Sequence, residues 1–257
     1  MTRIVLVLLA FAASATGASA QANTVRGMAI APHGTDDVTP CRNTHLAVES
    51  RIGFCRAAIK DGYFDVYLDL ARLQRVEGRY DDALASIATL TARMPEMPDY
   101  PRFHLADAWV PVLVERSIVY AQMGRFDDAM KDADALGHLT IVEALHLSAR
   151  CMVRAVAGRE LEQGLDDCNR AIERKSYVAA MRDSRGLIYF KLGRYKEALA
   201  DYDAALDRKS GFDGSRYARG VVKLRLGDTK GGNEDIADAE ARDISVAQAM
   251  AGLGVTP

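Results

Sequence analysis

The sequence repeats itself with a period of 34 residues in its C-terminal half. The segment GRELEQGLDDCNRAIERKS (158–176) superposes without a gap on LGRYKEALADYDAALDRKS (192–210). The segments EGRYDDALASIATL (77–90) and MGRFDDAMKDADAL (123–136) have the same form. A fixed period of this length is typical of architectures in which one small unit is stacked many times.

Each unit has the pattern of two amphipathic helices. Small and apolar residues recur at spacings of three and four, which places them on one face of a helix. In the best unit these residues are Gly186, Tyr189 and Phe190 in the first segment and Ala198, Leu199, Tyr202, Ala205 and Leu206 in the second. A glycine at 78, 124, 193 and 227 separates the segments, and Arg159 takes its place once. Since glycine adopts positive φ readily, the pattern predicts two helices folded back antiparallel.

The period, a small eighth residue, a large seventeenth residue and an alanine at the twentieth together resemble the tetratricopeptide repeat family. The unit 179–212 carries these features as Gly186, Tyr195 and Ala198. The resemblance implies an all-α, right-handed superhelical solenoid of antiparallel helix pairs. We expect about five repeats, an N-terminal half-repeat and a C-terminal capping helix. Gly164 and Gly232 replace the family's alanine, which is expected to weaken those helices.

The register of the repeat divides the chain into consecutive segments. An irregular segment at 21–42 and an N-terminal helix or half-repeat at 43–61 come first. The predicted repeats are 64–97, 110–143, 145–178, 179–212 and 213–246, with a capping helix and tail at 247–257. An insertion at 98–109 contains Pro98 and Pro101, so it either forms a loop or lengthens the next helix.

Residues 1–20 have the pattern of an export signal. Arg3 precedes an apolar run from 4 to 13, and Ala18-Ser19-Ala20 forms a cleavage site before Gln21. A membrane anchor is not favoured, because ten apolar residues reach about 15 Å as a helix and a bilayer core needs roughly 20 residues. We expect an exported protein, periplasmic or secreted, with no membrane span after signal cleavage.

The four cysteines favour disulfides over a metal site. An oxidising compartment promotes pairing, and no C-x-x-C motif indicates zinc. Three pairings are possible, and we favour the local one, Cys41–Cys55 and Cys151–Cys168. Each bond would close a loop of about 15 residues, worth roughly 3 kcal/mol. Free, buried thiols remain the alternative.

Neither the composition nor the motifs indicate nucleic-acid binding or catalysis. A formal charge of −2 gives no broad positive field. Familiar catalytic and nucleotide-binding strings are absent from the sequence, so we expect no enzyme activity and no cofactor or metal. Asp132, Asp134, Gly137 and Glu143 fit part of a calcium loop, but Leu136 breaks the ligand set and the register makes this segment helical.

The resemblance implies a scaffold that binds a protein or peptide partner in a concave groove formed by the first helices. The mixed, partly apolar surface favours an extended or helical segment with apolar anchors. The alternatives are that these residues only pack against the next repeat, or that the protein is a structural accessory subunit of an envelope assembly using its convex face or termini. Partner and oligomeric state stay open. The groove positions are Leu68, Asp69, Arg72, Val114, Glu115, Ile118, Ala149, Arg150, Val153, Asp183, Leu187, Phe190, Lys191, Tyr217, Val221 and Arg225.

Overall fold

The computed structural model describes residues 38–63, 66–93, 102–139, 143–174, 178–208 and 212–257. Within these ranges the secondary structure is entirely helical, which confirms the predicted all-α class. The thirteen helices of this part are α1 (Thr39–Arg42), α2 (Val48–Lys60), α3 (Val66–Val76), α4 (Tyr80–Arg93), α5 (Arg102–Gln122), α6 (Phe126–Leu139), α7 (Glu143–Ala157), α8 (Leu161–Glu173), α9 (Val178–Lys191), α10 (Tyr195–Arg208), α11 (Asp213–Arg225), α12 (Thr229–Arg242) and α13 (Val246–Ala251). The predicted signal at 1–20 lies outside the described residues.

Helices α3 to α12 form five pairs in the described chain, and each pair is joined by a three-residue turn. Four of these turns place the predicted glycine at positive φ, between +72° and +89°. The amide of the residue after it donates to a carbonyl oxygen five residues earlier, as Arg79 does to Gln74 at 2.8 Å. This bonding closes the first helix and reverses the chain, so the two helices pack antiparallel.

The turn between α7 and α8 is built differently from the other four. Arg159 occupies the position of the other turn glycines, but the positive φ belongs to its neighbours, Gly158 at +65° and Glu160 at +50°. A glutamate in the left-handed region is strained. Its carboxylate accepts a hydrogen bond of 3.1 Å from Nε of Arg154, which holds this conformation in place.

Glycines allow two pairs to approach very closely. A Cβ on Gly220 would lie 2.7 Å from the carbonyl oxygen of Gly232, so α11 and α12 touch through their backbones. A Cβ on Gly186 would lie 2.9 Å from the ring of Tyr202, so this glycine makes room for a buried aromatic side chain. The glycine at 232 therefore has a packing role that offsets its low helix propensity.

Both predicted disulfides are present. Cys41 of α1 is bonded to Cys55 of α2 with a Cα–Cα distance of 4.9 Å. Cys151 of α7 is bonded to Cys168 of α8 with a Cα–Cα distance of 5.3 Å. All four residues are fully buried, and each bond ties neighbouring helices together.

The N-terminal part differs in detail from the prediction. The segment predicted as irregular, 21–42, ends in the short helix α1, and the helix predicted at 43–61 begins only at Val48. Pro40 near the start of α1 and the disulfide at Cys41 account for this separate turn. Residues 43–47 form a loop that continues from α1 to α2.

The predicted insertion lengthens a helix where the structure describes it. Helix α5 begins at Arg102, directly after Pro101, and continues for 21 residues through Pro111. Pro111 lies inside the helix, where proline removes one backbone hydrogen bond, and α5 continues past it. Residues 102–109 therefore lengthen the first helix of the next pair and do not form a loop.

Arginines at nearly the same spacing as the repeat tie the pairs together. We call Arg116, Arg150, Arg185 and Arg219 the arginine ladder. Each bonds an aspartate on the second helix of its own pair, as Arg185 does to Asp201 through two contacts of 2.6 Å. The last three also reach a residue 16 positions earlier, on the preceding pair. These contacts are Arg150 to Asp134 at 2.6 Å, Arg185 to Asn169 at 2.6 Å and Arg219 to Asp203 at 2.9 Å.

The two ends of the stack meet. The carbonyl oxygen of Thr44, in the loop after α1, accepts a hydrogen bond of 3.2 Å from the amide of Ile244, in the loop after α12. The side-chain amide of Gln122, at the end of α5, donates to the carbonyl oxygen of Gly252 at 3.1 Å. The stack is therefore closed end to end. Helix α13 packs on α11 and α12. None of the described helices combines the length and the hydrophobicity that a membrane span requires.

Candidate functional site

A cavity of about 490 Å³ lies on the inner side of the closed stack. We call it the inner cavity. It is lined by residues of α3, α5, α7, α9 and α11, which are the first helices of the five described pairs. Three residues outside these helices, Phe212, Asp243 and Leu253, complete the lining. Consecutive first helices also contact one another, so they form a continuous inner wall. The cavity thus lies on the face that the sequence predicts as the groove.

Most of the wall is apolar. Its side chains follow the helical spacing of three and four, as with Leu145, Ala149, Met152 and Val156 on α7. Helix α5 adds Val114 and Ile118, α9 adds Ala180, Met181 and Leu187, and the C-terminal segment adds Leu253. Apolar walls of this size, with a few polar groups, are typical of sites that take up a ligand or a partner's side chains.

Charges are paired where α3 meets α5. Nε of Arg75 lies 2.5 Å from Oε1 of Glu115, and Nε of Arg72 lies 3.5 Å from Oε2 of the same carboxylate. Glu115 is only 1% exposed. A further hydrogen bond of 3.3 Å joins Arg75 to the side-chain oxygen of Gln122. The buried carboxylate therefore has two guanidinium partners and is not an unpaired group in the wall.

Carboxylates dominate where α9 meets α11. The hydroxyl of Ser215 donates a hydrogen bond of 2.5 Å to Oδ1 of Asp183. Burial raises the pKa of Asp183, and the hydrogen bond from Ser215 opposes this shift. Asp213 and Asp243 also line this end, and burial raises the pKa of Asp213 as well. This end of the inner cavity is therefore acidic.

Seven of the predicted groove residues line the inner cavity. They lie on four different helices and include both apolar and charged side chains. They are Arg72, Val114, Glu115, Ile118, Ala149, Asp183 and Leu187.

The other nine lie elsewhere. Val153 and Val221 are fully buried and Tyr217 nearly so, within the core between helices. Leu68 packs on the α3–α5 core, and Phe190 packs against Tyr195 with ring centroids 5.8 Å apart. The remaining four are engaged in polar contacts. Asp69 pairs with Arg42 and Arg72, Arg150 belongs to the arginine ladder, Lys191 donates to the carbonyl oxygen of Val156, and Arg225 donates to that of Thr256.

Three polar residues of the cavity wall near Asp183 were not predicted from the sequence. Asp213, Ser215 and Asp243 come from the start of α11 and from the loop after α12. The register assigned groove positions only from 217 onwards in the last repeat. A carboxylate at the start of α11 suits the helix dipole, so its position alone gives no signal of a site.

The calcium-loop alternative does not fit the geometry. Asp132 and Asp134 lie within α6, and Arg116 bonds Asp132 through two contacts of 2.7 Å. Glu143 begins α7 and accepts hydrogen bonds from Arg170 and Arg174. These carboxylates serve as partners of arginines, and no cluster of metal-ligating side chains occurs in the described ranges.

One histidine has a carboxylate partner. Nε2 of His146 lies 3.1 Å from Oδ1 of Asp134, which also accepts from Arg150. Burial would raise the pKa of Asp134, but the hydrogen bonds from His146 and Arg150 hold it below its ordinary value. His146 does not line the inner cavity, and its contact joins α6 to α7. The arrangement is that of a packing contact between pairs.

Residues 184–212 match the family model of the tetratricopeptide repeat, which confirms the resemblance. None of the curated proteins matches the chain. Among solved structures, a tetratricopeptide repeat protein from Parabacteroides merdae is 14% identical with a TM-score of 0.45, over 78% of this chain and 76% of that one. YrrB, described as a TPR protein with an unusual peptide-binding site, is 16% identical with a TM-score of 0.42, over 77% and 96%. MamA is 18% identical with a TM-score of 0.41, over 70% and 91%.

Proposed function

We propose that this chain, as a tetratricopeptide repeat protein, is an exported scaffold that binds a protein or peptide partner in its inner cavity and catalyses no reaction. The observation that carries the proposal is the cavity itself. Its wall collects apolar side chains from α5, α7 and α9, which belong to three different pairs, and charged side chains from α3, α5, α9 and α11. Protein cores are close-packed and rarely contain voids larger than a water molecule, so a space of this size is typical of a binding site.

The size of the cavity favours a short segment as the occupant. A volume of about 490 Å³ admits a few side chains and excludes a folded domain. Several lining residues, such as Val156, Ala180 and Asp213, are only half-buried, so the cavity reaches solvent. The partner therefore inserts a peptide segment with apolar anchors.

Two features support export. The pattern of residues 1–20 is that of a cleavable signal. Both cysteine pairs are bonded, and such disulfides persist in oxidising compartments outside the cytoplasm. We therefore place the scaffold in the periplasm or outside the cell.

A cavity-filling variant tests the binding surface. Ala180 is half-buried in the wall, so Ala180→Trp directs an indole into the inner cavity. Ala200 is exposed on α10, and Ala200→Trp is the matched control. A library of acetylated, amidated hexapeptides rich in Leu, Met, Val and Ala is screened by fluorescence polarisation. We expect selected peptides to bind the unchanged chain and Ala200→Trp alike, and Ala180→Trp at least 10-fold more weakly, about 1.4 kcal/mol.

If both tryptophan variants bound the peptides equally well, the binding surface would lie outside the inner cavity, for example on the convex face. No binding of any peptide by the unchanged chain would contradict the proposed function. Circular dichroism establishes that both variants keep the helical fold.

A further inference from the structure

The inner cavity is electrostatically uneven. Its wall contains two arginines, Arg72 and Arg75, against four carboxylates. Both arginines are directed at one of these carboxylates, Glu115. Both positive charges of the wall are therefore paired with Glu115 at the α3–α5 end. The α9–α11 end has an excess of negative charge.

Asp183 is the central group of this acidic end. In the described part of the chain its carboxylate accepts a hydrogen bond from the Ser215 hydroxyl and lies within 4.0 Å of no cationic side chain. The neighbouring arginines of α9, Arg182 and Arg185, are both directed at Asp201. Asp183 is half-buried in the wall of the inner cavity, so its carboxylate reaches the space that a ligand would occupy. A carboxylate in a largely apolar wall without a cationic partner is only partly compensated. Its presence in a cavity wall is explained if a ligand supplies the missing charge.

The surroundings add to the negative potential at this point. Asp213 lies two residues before Ser215, and its Oδ1 is buried without a hydrogen-bond partner in the described residues. Oδ1 of Asp243 accepts hydrogen bonds from the amide and the hydroxyl of Ser245, so this carboxylate is held in place. Arg216 and Arg242 lie near Asp213 and lower its pKa, whereas burial raises it. Asp213 therefore has two arginines nearby, whereas Asp183 has no cationic side chain within 4.0 Å in the described residues.

We propose that the inner cavity selects peptide segments that carry a lysine beside apolar residues, with the lysine ammonium bound by Asp183. This inference rests on the proposed function and specifies its ligand. The apolar side chains of the segment occupy the wall formed by Met152, Met181 and Leu187. The lysine ammonium of the peptide donates a charge-assisted hydrogen bond to the Asp183 carboxylate. Such hydrogen bonds are stronger than those between neutral groups.

A compact ammonium fits the site better than a metal ion. Metal ions of the calcium and magnesium type need several oxygen ligands from more than one carboxylate or carbonyl group. In the described ranges no group of three metal-ligating side chains comes together, at Asp183 or elsewhere. A lysine needs one carboxylate and tolerates the nearby Ser215 hydroxyl, which can turn to accept a hydrogen bond from it.

Matched peptides test the inference. Acetylated, amidated hexapeptides of Leu, Met, Val and Ala carry lysine, norleucine or glutamate at one scanned position. Their affinities are measured for the unchanged chain and for Asp183→Asn. We expect the unchanged chain to prefer the lysine peptide over the norleucine peptide by ~10-fold or more. We expect Asp183→Asn to lose this preference, so that its affinities for the lysine and norleucine peptides become equal.

The norleucine peptide separates loss of recognition from loss of folding, because it still needs an intact apolar wall. Equal affinity of the unchanged chain for lysine and norleucine peptides would overturn the lysine inference and leave the peptide scaffold standing. A lysine preference that survives in Asp183→Asn would overturn the assignment to Asp183. Failure of every peptide to bind would overturn this inference together with the proposed function.

Discussion

The hydroxyl of Thr44 donates a hydrogen bond of 2.9 Å to the carbonyl oxygen of Arg242, 198 positions later in the chain. The backbone of the same threonine accepts from the amide of Ile244 at 3.2 Å. Together these bonds join the loop after α1 to the loop after α12. The N-terminal and C-terminal ends of the described helices are thus in direct contact.

Thr44→Ala is expected to loosen this junction. The variant removes the side-chain bond to Arg242 and should lower the free energy of unfolding by about 1 kcal/mol. The amide of Ile244 should then exchange its hydrogen faster, which mass spectrometry or NMR measures. Thr89→Ala is the control, because the hydroxyl of Thr89 bonds Ala85 within its own helix. Unchanged exchange at Ile244 would show that the ends do not depend on this contact.

The disulfide of α1 and α2 should control the same junction. Replacing Cys41 and Cys55 together by serine releases the short helix that precedes Thr44. We expect a loss of about 3 kcal/mol in the free energy of unfolding and faster exchange at Ile244. The paired control replaces Cys151 and Cys168, whose bond lies inside the α7–α8 pair. The control should lose similar stability in denaturant and keep local protection at Ile244. Identical exchange patterns in the two double variants would refute this.

The arginine ladder should depend on the guanidinium shape as well as on charge. Arg185→Lys keeps the charge but cannot contact both oxygens of Asp201 and also Asn169. We expect a loss of about 1–2 kcal/mol, measured by urea unfolding, since Asp201 is buried. The exposed Arg194, paired with Glu197, provides the matched control Arg194→Lys. If Arg185→Lys lost no more free energy of unfolding than Arg194→Lys, the arginine ladder would contribute no more to stability than an exposed ion pair.

Lys191 should make stability depend on pH. Burial lowers the pKa of its amine from 10.5 to about 8, while its Nζ donates to the carbonyl oxygen of Val156 at 2.8 Å. In the unfolded chain the amine keeps its proton up to about pH 10.5. Between these two values the unfolded state binds more protons, so the free energy of unfolding should rise with pH. The comparison is with Lys191→Met, in which this part of the rise is absent, and with the exposed control Lys196→Met, in which it remains.

Tyr202→Phe should be tolerated or slightly stabilising. The ring of Tyr202 fills the space above Gly186, but its hydroxyl is buried without a hydrogen-bond partner in the described residues. Removing an unsatisfied hydroxyl is expected to raise the free energy of unfolding by up to about 1 kcal/mol. Tyr202→Ala, which removes the ring too, should cost about 3–5 kcal/mol. A clear loss of stability in Tyr202→Phe would indicate that the hydroxyl has a partner after all.

Local features of this fold could be predicted from the sequence because they depend on neighbouring residues. The spacing of Ala198, Leu199 and Tyr202 requires a helix with one buried face, and Gly193 requires a turn with positive φ. The pairing of Cys151 with Cys168 follows from antiparallel helices of one pair. The turn between α7 and α8 could not be predicted in this way, because the residues with positive φ are Gly158 and Glu160 and not Arg159.

The site could be predicted only in part, because a first helix contacts its own partner and both neighbouring pairs. Most of its circumference is therefore buried, and spacing does not tell which apolar residue reaches the cavity. Leu187 lines the wall, whereas Val221 lies in the core. The arginine ladder has a signal in the sequence, a spacing of 34 or 35 residues, but buried and exposed arginines look alike there. Contact between Thr44 and Arg242 depends on the sum of rotations along the whole stack, which no local pattern contains.

The closed junction has a consequence for how this protein can change in length. An open array of helical hairpins gains or loses one member at its ends, or within it, with little effect on the others. Here one additional hairpin would push the loop of Thr44 away from that of Arg242 by roughly 10 Å, the distance between packed helices. An added hairpin would therefore break the two hydrogen bonds of this junction, and relatives that keep the junction should vary in turns and tails instead.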